Sequence, residues 1–199
     1  RRQVTDMAEM GLTGLRIPDE YGGQEASAVI AGIAAEEVGR ADFNAGYLII
    51  NTALISDVIV RNATEEQKRA WLPPIASGET VPCIMITEPG HGTDAAALTL
   101  RATETDDGWV LNGEKTSITL GMAADKAVVL ARTGGPGARG VSAFWVDMDA
   151  PGVSRTAFDD LGSRAIGRAT IYFDDVAVPA DRLIGRPGDG FISVMEGFD

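Results

Sequence analysis

The sequence predicts an α+β protein in which an N-terminal helical domain precedes an antiparallel β-barrel domain. Up to residue 80, apolar residues recur at helical spacing. Beyond that point, apolar and polar residues alternate in short runs that are separated by turns rich in glycine and aspartate, which is typical of strands. Because no helical segment separates successive strands, the pattern favours an antiparallel barrel or sandwich.

The helical domain, residues 1–80, is expected to contain at least three helices. Ser27 can cap a helix that Gly39 would end. The apolar spacing over 43–61 predicts a second helix. Residues 64–67 form a capping box that begins a third helix, and Pro73-Pro74 is expected to end it.

The β domain is predicted over residues 81–189. Strands are expected at 81–86, 98–105, 109–111, 116–119, 126–132, 141–147 and 169–174. Asp106-Asp107-Gly108 predicts a turn, and Asn112-Gly113 is a strong hairpin dipeptide. The apolar spacing of residues 190–199 predicts the first turns of another helix.

Bulk composition excludes several classes of protein. With 45% hydrophobic and 23% charged residues, the 199-residue chain has an ordinary globular composition. A net charge of −12 argues against nucleic-acid binding, and no uninterrupted apolar run long enough to span a membrane is present. The lone cysteine, Cys83, fits a reducing cytoplasm. One histidine and one cysteine, far apart, suggest no metal site.

The most informative segment is the loop Thr87–Asp94, with the sequence Thr-Glu-Pro-Gly-His-Gly-Thr-Asp. It follows an apolar strand and combines two glycines and a proline with hydroxyl and carboxylate side chains. Glycines let a flat ring or a phosphate approach the backbone closely. Taken alone, the loop is explained equally well as a plain structural turn.

This loop resembles the flavin-binding Thr-Glu-Pro…Gly-Ser-Asp loop of the acyl-CoA dehydrogenase family. Further motifs follow in the family's order over residues 7–199. They are 111–115 (Leu-Asn-Gly-Glu-Lys), 118–119, 147–153, 161–162, 173–179 (Phe-Asp-Asp-Val…Val-Pro), 188–191 and 197–199. Several independent motifs in register make chance agreement very small, so the chain is identified as a member of this family.

The resemblance implies an FAD-dependent enzyme that oxidises an acyl-CoA thioester to a 2,3-enoyl-CoA, with hydride transfer to flavin N5. Electron-transferring flavoprotein is the implied acceptor, and a homo-oligomer, dimer or tetramer, is implied. In the family the catalytic carboxylate lies in a second helical domain after the β domain. We therefore expect this chain to be part of a longer protein, to lack the base, and by itself to be inactive and to bind FAD weakly.

The resemblance also assigns residues to the site. The implied cofactor-binding residues are Ile84, Ile86, Thr87, Gly92, Thr93, Ser117, Ile118 and Thr119. Thr93 and Asp199 are implied to contact the acyl-CoA, and Thr119 is implied to place its hydroxyl near flavin N5. The arginines at 155, 164, 168 and 186 could supply a local positive patch for phosphates, or lie solvated on the surface.

Ser117 departs from the family pattern. The family often places tryptophan there, packed against the flavin, and serine cannot replace that apolar surface. The segment Lys115–Thr119, together with Gly162–Gly167 downstream, resembles the branch of the family that acts on alicyclic carboxyl-CoA esters.

Three other functions remain open from the residues. An acyl-CoA oxidase or a flavin monooxygenase would share the loop but use oxygen. A non-catalytic module that binds acyl-CoA or protein would keep the fold without the redox chemistry. A β-barrel interaction domain with a helical extension would need neither ligand.

Overall fold

The computed structural model describes residues 2–198, which fall into two compact units divided in sequence between Pro82 and Cys83. The first unit is helical and the second is built on a β-sheet.

The helical unit contains four α-helices and a short 3₁₀ turn at Asp19–Tyr21. The helices are α1 (Arg2–Glu9), α2 (Ala28–Ala41), α3 (Phe43–Asn62) and α4 (Glu65–Ala76). The core of the unit is centred on α3, whose Ile55, Val58 and Ile59 are fully buried. The helical character expected for residues 1–80 is thus confirmed.

Side-chain caps begin α2, α3 and α4. The Ser27 hydroxyl accepts a hydrogen bond from the Ile30 amide at 3.3 Å, and Thr64 and Gln67 form the predicted capping box. Asp42 caps α3 by accepting from the Asn44 amide at 2.9 Å. Each cap satisfies an amide that has no partner within its helix.

Both predicted helix stops are wrong. α2 passes through Gly39 to Ala41, and Gly39 instead permits close packing, because a Cβ on Gly46 of α3 would lie 3.3 Å from its Cα. α4 passes through Pro73 and Pro74 to Ala76. Proline lacks an amide donor but keeps its carbonyl. The Pro73 carbonyl accepts a hydrogen bond from the Ser77 amide at 3.0 Å, and the Pro74 carbonyl accepts one from the Thr80 amide at 2.8 Å.

Among the described helices, α3 has the length and apolarity of a membrane span by composition alone, with a mean hydropathy of 1.5 over its best window. Of that window, 56% is buried inside the protein. This burial is typical of the core helix of a globular unit.

The second unit contains eight strands and one α-helix. The strands are β1 (Pro82–Met85), β2 (Arg101–Thr105), β3 (Gly108–Ile118), β4 (Lys126–Arg132), β5 (Val141–Asp147), β6 (Val153–Ala157), β7 (Ala169–Pro179) and β8 (Leu183–Ile184). The helix α5 (Gly190–Met195) follows them, as the sequence predicted for residues from 190 onward.

The strands form one mainly antiparallel sheet in the order β6-β7-β3-β2-β4-β5-β8, with β1 paired to β4. The pairing of β2 with β4, through Arg101 and Arg132, is parallel. Within residues 2–198, β6 and β8 end the sheet. The antiparallel sheet is therefore confirmed, but the pairing is that of an open sheet, not of the expected closed barrel.

One face of the sheet encloses the core of this unit. Trp109 of β3 and Phe144 of β5 meet edge to face with their ring centroids 5.4 Å apart. Leu111, Val129 and Ile171 are fully buried beside them. Burial of this apolar area stabilises the unit by about 25 cal/mol per Å² removed from water.

The prediction of a hairpin turn at Asn112-Gly113 is wrong. β3 continues through both residues, and the chain reverses instead at Asp106-Asp107, where Thr105 pairs with Gly108. The register against β7 shifts between Leu111 and Gly113. Asp174 and Asp175 of β7 therefore lie opposite the single residue Asn112 in a β-bulge of β7, and Gly113 of β3 adopts φ +135°.

Two short strands, β6 and β8, were not predicted. In β6 no residue is fully buried, so the apolar alternation that reveals a half-buried strand is absent. β8 has only two residues, which is too short for any period.

Replacing Gly113 with alanine is expected to lower the free energy of unfolding by about 1–3 kcal/mol. An added Cβ would be held at an unfavourable φ and 3.0 Å from the Leu100 Cα. Urea unfolding followed by tryptophan fluorescence measures the change. Gly135→Ala is the control, because a Cβ there meets nothing within 4 Å. Equal stability of the two variants would contradict the requirement for glycine at position 113.

Candidate functional site

The candidate site begins on β1. The side chains of Cys83 and Met85 are fully buried in the sheet core. Because successive side chains of a strand point to opposite faces, Ile84 lies on the other face, and Ile86 follows at the same spacing. Both are only partly buried. They offer apolar surface directly before the loop Thr87–Asp94.

The loop is tied to β3 through its first residue. The Thr116 amide donates to the Thr87 carbonyl at 2.9 Å. Within the loop, Glu88 and His91 exchange backbone hydrogen bonds of 3.2 and 3.0 Å, which closes a tight turn. Gly92 and Thr93 lie beyond this turn and are exposed. The structure thus brings the beginning of the glycine-containing loop against the end of β3.

A buried ion pair lies beneath this junction. The Lys115 ammonium donates to the Glu88 carboxylate at 2.8 Å and to the Ile86 carbonyl at 3.0 Å. The exposed fractions of the two side chains are 0% and 3%. A buried charge is tolerated only when it is paired and hydrogen-bonded. Here the Lys115 ammonium and the Glu88 carboxylate each provide the opposite charge and a hydrogen bond for the other.

Glu88 also binds the segment that leads into β2. Its carboxylate accepts from the Thr99 amide and hydroxyl at 2.6 and 2.7 Å, and from the Leu100 amide at 2.9 Å. One carboxylate therefore joins the loop, β3 and the residues before β2. Glu88 thus stabilises the loop as a hydrogen-bond acceptor.

The two charges shift each other's titration. Burial alone would raise the pKa of Glu88, but the Lys115 ammonium and the donated hydrogen bonds outweigh it and hold the pKa below its usual value. Burial lowers the pKa of Lys115 to about 8 against the attraction of Glu88. Glu88 is therefore ionised at neutral pH.

The end of β3 supplies the second half of the site. Its register against β7 shifts between Lys115 and Ile118, and Ser117 adopts φ +59°. The Ile118 side chain is 3% exposed and packs in the core, so only its backbone is available to a ligand. Thr119 follows in a turn, partly buried.

Four hydroxyl groups in these segments make no hydrogen bond to any group within residues 2–198. They belong to Thr87, Thr93, Ser117 and Thr119. A hydroxyl both donates and accepts, so they can bind a polar ligand without breaking an internal contact. Asp199, the other residue expected to contact substrate, lies outside the described residues.

A cleft of about 590 Å³ adjoins the loop at Asp94. Arg132 lies in its wall and donates to the carbonyls of Leu98, Ala96, Gly135 and Gly137 at 2.6–3.0 Å. Because these bonds engage all three guanidinium nitrogens, Arg132 holds the two walls of the cleft together.

Three of the four arginines that could have formed a positive patch have internal partners. Arg155 binds carbonyls and Asp149, and Arg168 binds Asp160 and stacks 4.9 Å from the Phe158 ring centroid. Arg164 pairs with Asp159 at 3.2 Å. Their charge is therefore largely balanced within the unit.

The role of Lys115 was missed by reasoning from the sequence, where it appeared only within a motif. A signal was present, because Trp109, Leu111 and Lys115 share one face of β3 by alternation. A lysine on a core-facing position requires a buried carboxylate, and Glu88 is the acid that follows β1.

Models of two domains match this chain. "Acyl-CoA dehydrogenase, N-terminal domain" matches residues 1–79, and "Acyl-CoA dehydrogenase, middle domain" matches residues 83–176. Together they cover most of the sequence. The chain belongs to the acyl-CoA dehydrogenase family.

Individual relatives agree with this assignment. The short-chain specific mitochondrial acyl-CoA dehydrogenase of Homo sapiens is 37% identical over 200 residues, covering 99% of this chain and 48% of that protein. The structure of butyryl-CoA dehydrogenase from Megasphaera elsdenii matches with a TM-score of 0.92 and 32% identity, over 98% of this chain and 52% of that chain.

A second similar structure contains a reduced flavin. A glutaryl-CoA dehydrogenase from Mycobacterium smegmatis in complex with FADH2 matches with a TM-score of 0.89 and 29% identity. The match covers 98% of this chain and 50% of that chain. The chain thus spans about half the length of the relatives that it matches.

Replacing Lys115 with methionine is expected to lower the free energy of unfolding by about 3–5 kcal/mol at pH 7, because it leaves the buried Glu88 charge unpaired. Glu88 has a lowered pKa in the folded state, so its stabilising contribution is present above its ordinary value of 4.5 and is lost as the pH falls through the folded value. In the variant, burial without the Lys115 ammonium favours the protonated Glu88 carboxyl. The difference in free energy of unfolding between wild type and variant should therefore begin to narrow above about pH 4.5 and continue to narrow below it.

Urea unfolding at a series of pH values measures this narrowing. Asp159→Asn, at a side chain that is 95% exposed, is the control and should show a small difference at every pH. A Lys115→Met difference that stays constant down to pH 3 would contradict the assignment of Glu88 as the ionised partner.

Proposed function

We propose that the complete product of the gene is an FAD-dependent acyl-CoA dehydrogenase that converts an acyl-CoA thioester into a 2,3-enoyl-CoA. Membership of the family and the similarity to a dehydrogenase with bound FADH2 support this function. The observation that supports it most is the hydrogen bond from the Thr116 amide to Thr87, which joins the glycine-containing loop to the end of β3.

The residues at this junction fit a flavin. An isoalloxazine ring needs apolar surface for its faces and hydrogen-bonding groups at its polar edge. Ile84 and Ile86 offer partly exposed apolar surface, and the hydroxyls of Thr87, Ser117 and Thr119 have no internal partner among residues 2–198. We propose that these residues and the backbone of Ile118 hold the ring, and that Gly92 and Thr93 allow the phosphates or the acyl-CoA to approach.

FAD held by these residues would supply the acceptor for the hydride that leaves the β carbon of the substrate. The chain's own contribution is to orient and to polarise. Thr119 donates a hydrogen bond where charge develops, and Thr93 contacts the substrate. The buried Glu88–Lys115 pair keeps both segments at fixed separation, so that little reorganisation accompanies the reaction.

The proton α to the thioester carbonyl must go to a base. Glu88 is unsuited to this role, because its lone pairs are engaged by Lys115, Thr99 and Leu100 and its carboxylate is buried. We propose a carboxylate of a C-terminal helical domain as the base, as the family resemblance implies, and assign it to none of the residues described.

Several finer properties belong to the same proposal. We propose that electrons pass to electron-transferring flavoprotein, that the enzyme is a cytoplasmic homotetramer, and that Asp199 contacts the CoA portion. The segments Lys115–Thr119 and Gly162–Gly167 favour an alicyclic carboxyl-CoA as substrate. Short-chain and butyryl-CoA dehydrogenases are among the relatives, so short acyl-CoA esters are the substrates against which an alicyclic ester should be compared.

Anaerobic rapid mixing of the complete gene product with cyclohexanecarboxyl-CoA and butyryl-CoA tests the function. Bleaching of flavin absorbance with formation of the 2,3-enoyl-CoA is expected. Fast reoxidation of the reduced enzyme by oxygen would instead indicate an oxidase or a monooxygenase. A purified product without flavin that binds acyl-CoA unchanged would indicate a non-catalytic module.

Replacing Thr119 with valine keeps the side-chain shape and removes the hydroxyl donor. The loss should be about 1–3 kcal/mol of transition-state stabilisation. This corresponds to roughly a five- to 150-fold slower flavin reduction at saturating substrate. The flavin should remain bound, because most of its proposed contacts lie elsewhere.

Thr103→Val, an exposed position on β2, is the matched control and should reduce flavin at the wild-type rate. An unchanged reduction rate in Thr119→Val would mean that the Thr119 hydroxyl has no role in the chemical step.

A further inference from the structure

The turn that presents Thr119 is strained. Ser117 and Leu120, on either side of Ile118 and Thr119, adopt φ of +59° and +61°. For residues other than glycine, this region costs about 1 kcal/mol or more and persists only where surrounding contacts enforce it. The contacts that hold residues 117–122 therefore determine where the Thr119 hydroxyl lies.

Backbone hydrogen bonds hold one side of the turn. The Leu120 amide donates to the Ile166 carbonyl at 3.2 Å, and the Met122 amide donates to the Gly167 carbonyl at 3.1 Å. These bonds attach the turn to the 3₁₀ turn at Arg164–Ile166. Within the turn, the Ile118 and Leu120 carbonyls accept from nearby amides, whereas the Gly121 and Met122 carbonyls accept from donors outside it.

Arg155 of β6 supplies those donors. One guanidinium nitrogen donates to the Gly121 and Met122 carbonyls at 3.3 and 3.2 Å. The other donates to the Met148 carbonyl at 2.8 Å and to Asp149 at 3.3 Å. A planar guanidinium holds two such groups in a fixed relative orientation, which a lysine cannot do.

The Arg155 side chain is enclosed, with 17% of its surface exposed, whereas that of Asp149 is 90% exposed. Its contacts with the Gly121 and Met148 carbonyls are partly buried, whereas its ion pair with Asp149 is exposed. Shielded contacts contribute more to fixing a geometry than exposed ones.

We propose that Arg155 is a positioning residue for the reaction, which holds the turn at residues 117–122 so that the Thr119 hydroxyl faces the flavin. The proposal rests on the proposed function, since it acts through Thr119. Arg155 itself touches neither substrate nor flavin. Its loss should misdirect the hydroxyl while the binding surfaces of the loop Thr87–Asp94 stay in place.

The first measurement is independent of flavin chemistry. Hydrogen exchange of the peptide covering residues 117–124, followed by mass spectrometry, should accelerate in Arg155→Met relative to the β4–β5 peptides. Arg155→Lys keeps the charge and a donor and should show an intermediate rate. Asp149→Asn removes only the exposed partner and should exchange like wild type. No change at residues 117–124 in Arg155→Met would overturn the proposal.

The second measurement is flavin reduction by acyl-CoA in the complete gene product. In Arg155→Met the rate at saturating substrate should fall about 10- to 100-fold, as expected for a misplacement of about 1 Å. The dissociation constants of Arg155→Met for substrate and FAD should stay near the wild-type values. Arg155→Lys should reduce flavin at a rate between those of Arg155→Met and wild type. Asp149→Asn should reduce flavin at the wild-type rate.

The outcomes separate the two proposals. A wild-type reduction rate in Arg155→Met, or equal losses in rate and in FAD affinity, would overturn the positioning role. Either result would leave the proposed dehydrogenase function unaffected. Absence of any flavin reduction by the wild-type protein would overturn the proposed function, and the positioning role with it. If Arg155→Met does not fold, Arg155→Lys decides the question by the same criteria.

Discussion

The organisation of the candidate site depends on the ion pair between Glu88 and Lys115. Both side chains are almost completely buried, and the carboxylate also satisfies the amides of Thr99 and Leu100. Removing either partner would leave a charge without solvent or counter-ion, so the pair can exist only while the loop, β3 and the segment before β2 are assembled. The loop is therefore held in its position against β3 whenever this unit is folded.

The chemistry proposed for the site follows from this rigidity. Groups that stabilise developing charge are effective when they need no reorganisation during the reaction. The hydroxyls of Thr87 and Thr119 belong to different segments, which the Thr116–Thr87 backbone bond and the ion pair hold together. The strained backbone at Ser117 and Leu120 also indicates rigidity, because an unfavourable conformation persists only where surrounding contacts enforce it.

Much of the fold could be predicted from local chemistry. The caps at Ser27 and Thr64 and the turn at Asp106-Asp107 depend on neighbouring residues alone. The errors share one cause, which is tertiary context. Gly39 serves the packing of α2 against α3, and Asn112-Gly113 stays extended because Asn112 pairs with β2 and Gly113 pairs with β7.

The site could be predicted in part. The family motifs indicated the residues near the ligand, and the structure adds how Thr87 and Thr116 meet. The contacts of Lys115 and Arg155 could not be predicted, because each joins segments that are distant in sequence. Only alternation along β3 pointed to a buried lysine, and no local pattern identified the carbonyls that Arg155 binds.

The central claim is that the Glu88–Lys115 pair holds the loop against β3. Native-state hydrogen exchange of the Thr116 amide, measured by NMR at increasing urea, tests it in Lys115→Met against Gly113→Ala, which destabilises the same unit without removing the ion pair. The account predicts that Thr116 exchanges by local opening, with little dependence on urea, in Lys115→Met, and by global unfolding in Gly113→Ala. Exchange by global unfolding alone in both variants would contradict it.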